Sequence, residues 1–278
     1  MTGLSGSTEM FLRLGFFLAM FVAMAGLEAL YPRRQRLYSR LLRWSGNLGI
    51  SVINQVFVRL LIPATAVALA AHASGQGWGL LNQVALPVWV AIPVAVLVLD
   101  LAIYLQHRLY HVVPLLWRFH RMHHADLDFD VTTGIRFHPL SILLSALIKL
   151  AIVLAIGPPV IAVLIFEVLL NATSMFNHSN LKIPVSVDRV LRYLVVTPDM
   201  HRVHHSTDGA EMNRNFGFNF PWWDRLFGTY LEQPALGHDD MIVGLEQFRT
   251  RGDLGLGRML VQPFVGDSTG DPQRMENR

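Results

Sequence analysis

The sequence has no cysteine, which excludes disulfide bonds and thiolate-bound metal. It is also poor in charge: only 15% of its 278 residues are Asp, Glu, Lys or Arg, against roughly 25% in an ordinary soluble domain. Hydrophobic residues make up 52% of the chain, and the formal net charge is only +3. Nothing in this balance indicates a nucleic-acid partner, and the low charge with high apolar content favours a membrane protein.

Long apolar runs begin near the N-terminus. Residues 10–30 form the first candidate span, and the basic residues follow it rather than precede it, which argues against a cleaved signal peptide. Five arginines come next: Arg33, Arg34, Arg36, Arg40 and Arg43. A cluster of arginines beside a span indicates the cytoplasmic side, so the N-terminus is expected outside.

Further apolar runs predict the remaining spans. We interpret residues 47–71 as one span with a polar first half, 72–82 as an outer loop, and 84–106 as a third span. Residues 140–156 and 160–176 form a helical hairpin that turns at Gly157-Pro158-Pro159. The predicted fold is an all-α membrane protein with about four to five transmembrane or re-entrant helices and a cytoplasmic helical cap.

Two pairs of opposite charges lie inside these apolar runs. Lys149 and Glu167 are each about eight residues from the hairpin turn, so at ~1.5 Å rise per residue they lie at the same depth. Because intramembrane charges usually pair, we predict a contact between them. Arg59 and Asp100 are likewise at similar distances from their outer loop and form a second candidate pair.

A histidine pattern occurs three times and holds eight of the twelve histidines. The boxes are His107-Arg-Leu-Tyr-His111, His120-Arg-Met-His-His124 and His201-Arg-Val-His-His205. Residues three and four apart share one face of a helix, so each box directs two or three imidazoles the same way. Eight neutral imidazoles without a carboxylate predict transition-metal binding, and their number suits two metal ions. The absence of HExxH argues against a zinc protease of that class.

Other polar residues are candidates to complete the site. His178 is predicted as a further ligand, with an interfacial cap as the alternative. For His138, three roles stay open: ligand, support of a ligand, or an interfacial position. Asp100 lies two helical turns before His107, so it either orients a ligand imidazole, directly or through a relay, or pairs with Arg59. Asp100 and His138 are thus the candidate catalytic residues beside the metal ligands.

The remaining polar residues have simpler expectations. His72 is expected in a loop and His238 in solvent. The arginine after each box's first histidine should contact lipid phosphates or carboxylates; these are Arg108, Arg121 and Arg202. Thr197-Pro198-Asp199 predicts the start of the helix that carries the third box. Residues 254–264 are expected to form an amphipathic interfacial segment, and 267–278 a disordered tail.

The order of the three boxes resembles the fatty acid hydroxylase/sterol desaturase superfamily. So do Arg136-Phe-His-Pro139, Asn177-His-Ser-Asn180, Thr197-Pro-x-x-His-Arg-x-His-His-Ser206 and Trp223-Asp-Arg-Leu-Phe-Gly-Thr-Tyr230. The resemblance covers roughly residues 100–231. It implies three regions: N-terminal transmembrane helices (1–99), a catalytic domain (100–235), and a C-terminal amphipathic segment with its tail (236–278).

The resemblance also implies an activity. Members are integral-membrane, non-haem di-iron enzymes that use O₂ to hydroxylate or desaturate a lipid C–H bond. The implied metal ligands are His107, His111, His120, His123, His124, His178, His201, His204 and His205. The expected cofactors are two iron ions, with zinc possible in purified material, and electrons from a separate redox partner or a pterin. The alternative is a histidine-rich membrane protein that binds or transports metal without oxygenase activity.

Overall fold

A computed structural model describes residues 6–266 of the chain, and within this range the protein is built from helices without a β-strand. Five of its apolar segments are long enough to cross a membrane: Gly6–Leu30, Arg40–Gln83, Val88–Val112, Pro139–Ile156 and Val160–Asn177. The predicted all-α membrane protein with four to five spanning segments is therefore confirmed. The side of the membrane on which its cap lies stays a prediction.

The second apolar segment is interrupted, contrary to the single span predicted for residues 47–71. Helix α1 covers Gly6–Leu30 and α2 covers Arg40–Leu61. Pro63 follows α2, and Thr65 then caps a new helix, α3 (Ala66–Gln76), by accepting a hydrogen bond from the Ala68 N–H at 3.1 Å. The short helix α4 (Leu80–Gln83) completes the segment. The predicted outer loop 72–82 is thus partly helical, and His72 belongs to α3.

Two glycines bring together the connections at one end of the bundle. Helix α5 covers Val88–Val112, and the hairpin consists of α7 (Pro139–Ile156) and α8 (Val160–Asn177), with α6 between α5 and α7 covering Pro114–His124. Gly79 and Gly157 both have positive φ, and a Cβ on Gly79 would lie 2.2 Å from the Gly157 nitrogen. The loop before α5 and the hairpin turn therefore meet at one end of the bundle. His107 lies about 28 Å along α5 from Val88, towards the opposite end.

The charges inside the apolar segments form one of the two predicted pairs. Lys149 donates to the Glu167 carboxylate, which confirms that prediction. Arg13 of α1 contacts the same carboxylate at 2.9 Å, a third member that was not foreseen. The Arg59–Asp100 pair is wrong: Arg59 donates to the Pro63 carbonyl at 2.7 Å instead.

The cap consists of short helices between and after the long ones. Pro114 begins α6 and Thr197 caps α10, as predicted. The cap helices are α9 (Val185–Leu191), α10 (Pro198–His204), α11 (Gly209–Met212), α12 (Trp222–Leu226), α13 (Gly237–Asp240) and α14 (Leu256–Val261). Met259 of α14 is buried against Ile50 of α2 and Met122 of α6.

The C-terminal segment is therefore more than an interfacial helix. One face, with Leu254 and Met259, is buried in the protein, while Val261 and Phe264 are exposed. This segment packs against both α2 and α6. The predicted disordered tail at 267–278 lies outside the described residues.

Candidate metal centre

The structure brings the nine histidines implied as metal ligands together in two groups. All nine are buried, and within each group the potential ligand atoms lie within 4.8 Å of one another. The first group holds His107, His111, His120, His124 and His204; the second holds His123, His178, His201 and His205. The i, i+3 and i, i+4 spacing within the boxes produces this convergence, since each box lies at the C-terminal end of its helix and the three ends meet.

The first group is built from α5, α6 and α10. The Nε2 atom of His120 lies 3.1 Å from Nε2 of His107 and 3.3 Å from Nε2 of His124. Two imidazole nitrogens bound to one ion at about 2.0–2.1 Å stand about 2.8–3.4 Å apart for bond angles between 90° and tetrahedral. The spacing of these nitrogens therefore fits ligands of a single metal ion.

The second group has the same spacing. Nε2 of His178 lies 3.2 Å from Nε2 of His123 and 3.1 Å from Nε2 of His201. The two groups are in direct contact, because the rings of His124 and His205 stack with centroids 4.5 Å apart. The arrangement thus suits two neighbouring metal ions rather than one.

Backbone carbonyls fix the orientation of four of these rings. The Nδ1–H of His107 donates to the Phe216 carbonyl at 2.8 Å, and that of His178 to the Ser174 carbonyl at 2.8 Å. His123 and His204 make the same kind of bond, to the carbonyls of Arg136 (3.0 Å) and Arg214 (2.8 Å). A proton held on Nδ1 leaves the lone pair of Nε2 directed into the group, which is the usual support of a metal-binding histidine.

The protonation state of the histidines also fits a metal. Burial lowers the pKa of His178 to about 3, and burial together with neighbouring imidazoles holds the pKa of His205 well below its usual range. The rings are therefore neutral near pH 7. Several buried nitrogens also lack a hydrogen-bond partner within the described chain, among them Nε2 of His204 and both nitrogens of His205. A buried nitrogen without a partner is costly, and the lone pair of each neutral ring is satisfied when it binds a cation.

Aromatic rings enclose both groups. Phe137 stacks on His123 at 4.5 Å between centroids, Phe129 contacts His205 at 5.0 Å, and Trp117 contacts His111 at 4.9 Å. These rings keep bulk water from the imidazoles and lower the local dielectric, which strengthens electrostatic interactions within the site.

Asp100 lies apart from both histidine groups. Its carboxylate accepts hydrogen bonds from Trp223 Nε1 at 2.8 Å and from the Asn219 N–H at 3.3 Å, and no described imidazole contacts it. Asp224 accepts from the Phe216 and Gly217 N–H groups at 2.8 and 2.7 Å. The two carboxylates hold the loop that presents the Phe216 carbonyl to His107. Of the roles left open for Asp100, the geometry favours the relay and excludes direct orientation and the pair with Arg59.

His138 lies outside both groups. Its Nδ1 accepts the Leu140 N–H at 3.2 Å, capping α7, and its Nε2 donates to the Leu260 carbonyl at 3.3 Å. Both ring nitrogens are therefore occupied by structural bonds, which favours the interfacial role among the three alternatives. His238 is buried rather than solvated, with Nε2 3.7 Å from the Asp199 carboxylate.

A buried ion network beside the second box was missed. Arg43 is fully buried and binds Asp126, Asp130 and the Asp128 carbonyl, whereas its position in a basic cluster suggested only the membrane surface. The alternating aspartates 126, 128 and 130 could have predicted this network, because three closely spaced carboxylates need cations if they are buried. Among the box arginines, Arg202 contacts the Asp199 carboxylate as expected, but Arg121 donates to the carbonyls of Gln262 and Val265.

Comparison with known proteins agrees with this geometry. The fatty acid hydroxylase family model matches residues 92–229, the stretch that holds all nine histidines. An ornithine lipid hydroxylase of Rhizobium tropici is 29% identical over 199 residues, which cover 72% of this chain and 55% of that protein. Alkylglycerol monooxygenases of Xenopus tropicalis and Homo sapiens are 30% and 28% identical over 48% and 49% of this chain and 29% of theirs. No solved structure matches the chain.

The fold and site thus define a helical membrane protein with a paired histidine centre. The chain belongs to the fatty acid hydroxylase superfamily, which confirms the resemblance inferred from its motifs. It spans about half the length of the Rhizobium relative and about three tenths of the two monooxygenases.

Proposed function

We propose that this protein is a membrane-bound non-haem di-iron oxidoreductase that uses O₂ to hydroxylate or desaturate a C–H bond of a lipid. The observation that carries the proposal is the pair of adjoining histidine groups at one end of a bundle of membrane-spanning helices. Its relatives are named as lipid hydroxylases and monooxygenases, which supports an oxidoreductase acting on a lipid.

The nine histidines would hold the two metal ions, five in the first group and four in the second. Bound iron would supply O₂ activation and the oxidising power for the C–H bond. The chain's own contribution is orientation and shielding. The carbonyls of residues 136, 174, 214 and 216 fix four imidazoles, and the surrounding aromatic rings exclude water.

The position of the groups along the helices supports a lipid substrate. His107 and His111 lie in the last turns of α5, and His178 directly follows the end of α8. The site is therefore at the end of the apolar segments, where a lipid in the bilayer brings its chain close to the polar boundary. The arginine-rich connection between α1 and α2 is at this same end, so we place the site on the cytoplasmic side.

This position argues against the alternative of a metal transporter. Transport sites lie near the middle of the membrane on interrupted helices. Here the interrupted segment, α2 to α4, contributes no histidine to either group. Electrons would come from a separate redox protein or a reduced pterin, since the sequence carries no Gly-rich nucleotide motif.

The proposal is tested by the metal content of the detergent-purified protein and by oxygen incorporation in membranes that contain it. We expect about two irons per chain in wild type, with loss of metal in His123→Ala and His204→Ala, one variant for each group. The matched control is His72→Ala, which should keep its metal. His72 is on α3, where its ring packs against Trp78 and not against either histidine group. In membranes supplied with a reducing system and ¹⁸O₂, iron-loaded protein should give either a lipid that carries one ¹⁸O atom, if it hydroxylates, or an O₂-dependent unlabelled double bond, if it desaturates.

Two results would contradict the proposal. A wild-type protein that binds little metal, after checks for loss during purification, would remove its basis. Stable iron binding without any O₂-dependent lipid product, across lipid extracts and both classes of electron donor, would favour the metal-binding alternative.

A further inference from the structure

A cleft outside the histidine groups lies at the junction of the spans and the cap. Its volume is about 290 Å³. The connection between α1 and α2 forms one wall, and residues of the cap form the other. Its lining includes Arg34, Arg36, Arg249, Phe129, Asn180 and Met241. The function proposed above uses none of the three arginines.

Three arginines and two aspartates line the cleft, and one of the arginines has a donor nitrogen that is unsatisfied among the described residues. Arg36 is partly buried, and its Nη1 is shielded from solvent without a hydrogen-bond partner in the described chain. Burial lowers the pKa of the Arg34 guanidinium, because desolvation disfavours its charged form. Two carboxylates also line the cleft, but Asp128 already accepts the N–H groups of Leu37 and Tyr38 at 2.8 and 2.9 Å. The remaining carboxylate, Asp240, is exposed at the rim.

The other lining side chains are apolar and lead to the histidines. Leu127, Phe129 and Met241 are buried beside the arginines. The ring of Phe129 lies 5.0 Å from that of His205 and 5.5 Å from that of His178, centroid to centroid. One aromatic side chain therefore separates the cleft from the second histidine group.

The cleft lies beside the ends of candidate spans, where the headgroups of the bilayer are expected. Arg34 and Arg36 stand between the end of α1 at Leu30 and the start of α2 at Arg40. Asn180, three residues after the end of α8, binds the backbone of Arg34 at 3.0 and 2.7 Å. The cleft is thus bounded by the ends of two candidate spans, and its concave shape suits a small group better than a protein surface.

We propose that this cleft binds the anionic headgroup of the lipid substrate, a phosphate or carboxylate, through Arg34 and Arg36. The apolar side chains beside the arginines would contact the first carbons of the lipid. This inference rests on the proposed function and narrows its substrate class to lipids with an anionic headgroup. Arginine suits this task because its planar fork matches the two oxygens of a phosphate or carboxylate.

The test measures binding, which needs no turnover. Full-length protein in a neutral detergent is titrated with dihexanoyl phosphatidic acid, dihexanoyl phosphatidylcholine and inorganic phosphate. We expect phosphatidic acid to bind at least tenfold more tightly than either of the others, and Arg34→Gln and Arg36→Gln to remove that preference. Arg189→Gln, an exposed arginine of α9, is the matched control and should keep it. Metal content of each variant confirms that the histidine groups are intact.

Each result decides the proposal separately from the oxygenase function. Equal binding of the two lipids, or a preference that survives both cleft substitutions, would overturn it. Inorganic phosphate binding as tightly as phosphatidic acid would also overturn it, because the site would then be for a free anion. If Arg34→Gln and Arg36→Gln lose metal, their binding data are set aside, and the proposal is decided by whether the wild-type protein prefers phosphatidic acid. With active enzyme, Arg36→Gln should raise KM for an anionic lipid with kcat retained, whereas failure of turnover in every protein would contradict only the oxygenase function.

Discussion

Arg43 of α2 forms a two-point contact with Asp126, 83 positions further along the chain. Its Nε lies 2.9 Å from Oδ1 and its Nη2 2.8 Å from Oδ2, and both side chains are fully buried. Asp126 follows the second histidine box by two residues. This ion pair therefore joins the N-terminal spans to the backbone that carries His123 and His124.

Removing one partner of this buried pair should strongly destabilise the protein. Arg43→Met leaves Asp126 and Asp130 without their cation, and the loss of a buried partner costs roughly 3–5 kcal/mol. Arg43→Lys keeps the positive charge but not the planar guanidinium that makes the two-point contact, so we expect an intermediate loss of stability. The measurement is the thermal midpoint in detergent, together with metal content. Arg59→Met on the same helix is the control, because Arg59 contacts only the Pro63 carbonyl among the described partners. An unchanged midpoint in Arg43→Met would show that the pair contributes no stability.

The intramembrane cluster predicts an ordered set of effects. Glu167 is buried and contacts both Lys149 and Arg13, so Glu167→Gln leaves Lys149 without its carboxylate and leaves Arg13 with Glu9 alone. Lys149→Met removes only one of the two cations. We therefore expect Glu167→Gln to cost roughly 3 kcal/mol and Lys149→Met clearly less. Thermal midpoints of the single variants and the double variant give the coupling between them. A larger loss in Lys149→Met than in Glu167→Gln would contradict this order.

These charges also show where counting along the sequence succeeds. The hairpin turn at Gly157 is short and both of its helices are continuous, so residue number measures depth and the contact between Lys149 and Glu167 follows. The same counting failed for Arg59 and Asp100. Pro63 interrupts the helix between Arg59 and the outer loop, so the two positions were not at the depths that residue numbers suggested.

For the candidate site, local spacing in the sequence predicted the grouping of the histidines, but the long-range contacts that support them could not be predicted. The convergence within each histidine box follows from helix geometry over three or four residues. The Phe216 carbonyl that orients His107 lies 109 positions away, and Arg43 reaches its aspartates across more than 80. Neither contact has a local signal. His138 and His178 both adjoin a span, and only their long-range contacts distinguish them: His138 bonds to Leu260 of α14, whereas His178 contacts His123 and His201.

That difference between His138 and His178 can be measured. His138→Asn should keep wild-type metal content, because asparagine also caps helices and neither ring nitrogen of His138 faces the groups. His178→Ala should lose metal from the second group, since its Nε2 lies between those of His123 and His201. Metal per chain in the two purified variants tests this. Metal loss in His138→Asn with an unchanged thermal midpoint would restore a role for His138 at the metal.

Asp224 should give the protein an unusual dependence on pH. Burial raises the pKa of this carboxyl to about 6, although it accepts hydrogen bonds from Gly217 and Thr229. Between about pH 4 and 6 the unfolded chain has already lost this proton while the folded chain still holds it. The contribution of Asp224 to stability therefore falls as pH rises through this range, by up to roughly 3 kcal/mol, and is constant above it.

The measurement is the difference in thermal midpoint between wild type and Asp224→Asn across this pH range. Taking the difference cancels the effect of all groups that titrate in both proteins. Asparagine turns an amide towards a backbone N–H and lowers stability at every pH, so the slope rather than the offset is diagnostic. We expect the advantage of wild type to shrink as pH rises from 4 to 6. Glu246→Gln, at an exposed carboxyl, should show no such slope. A wild-type advantage that grows with pH would mean that the loop's hydrogen bonds to the ionised carboxylate outweigh its burial.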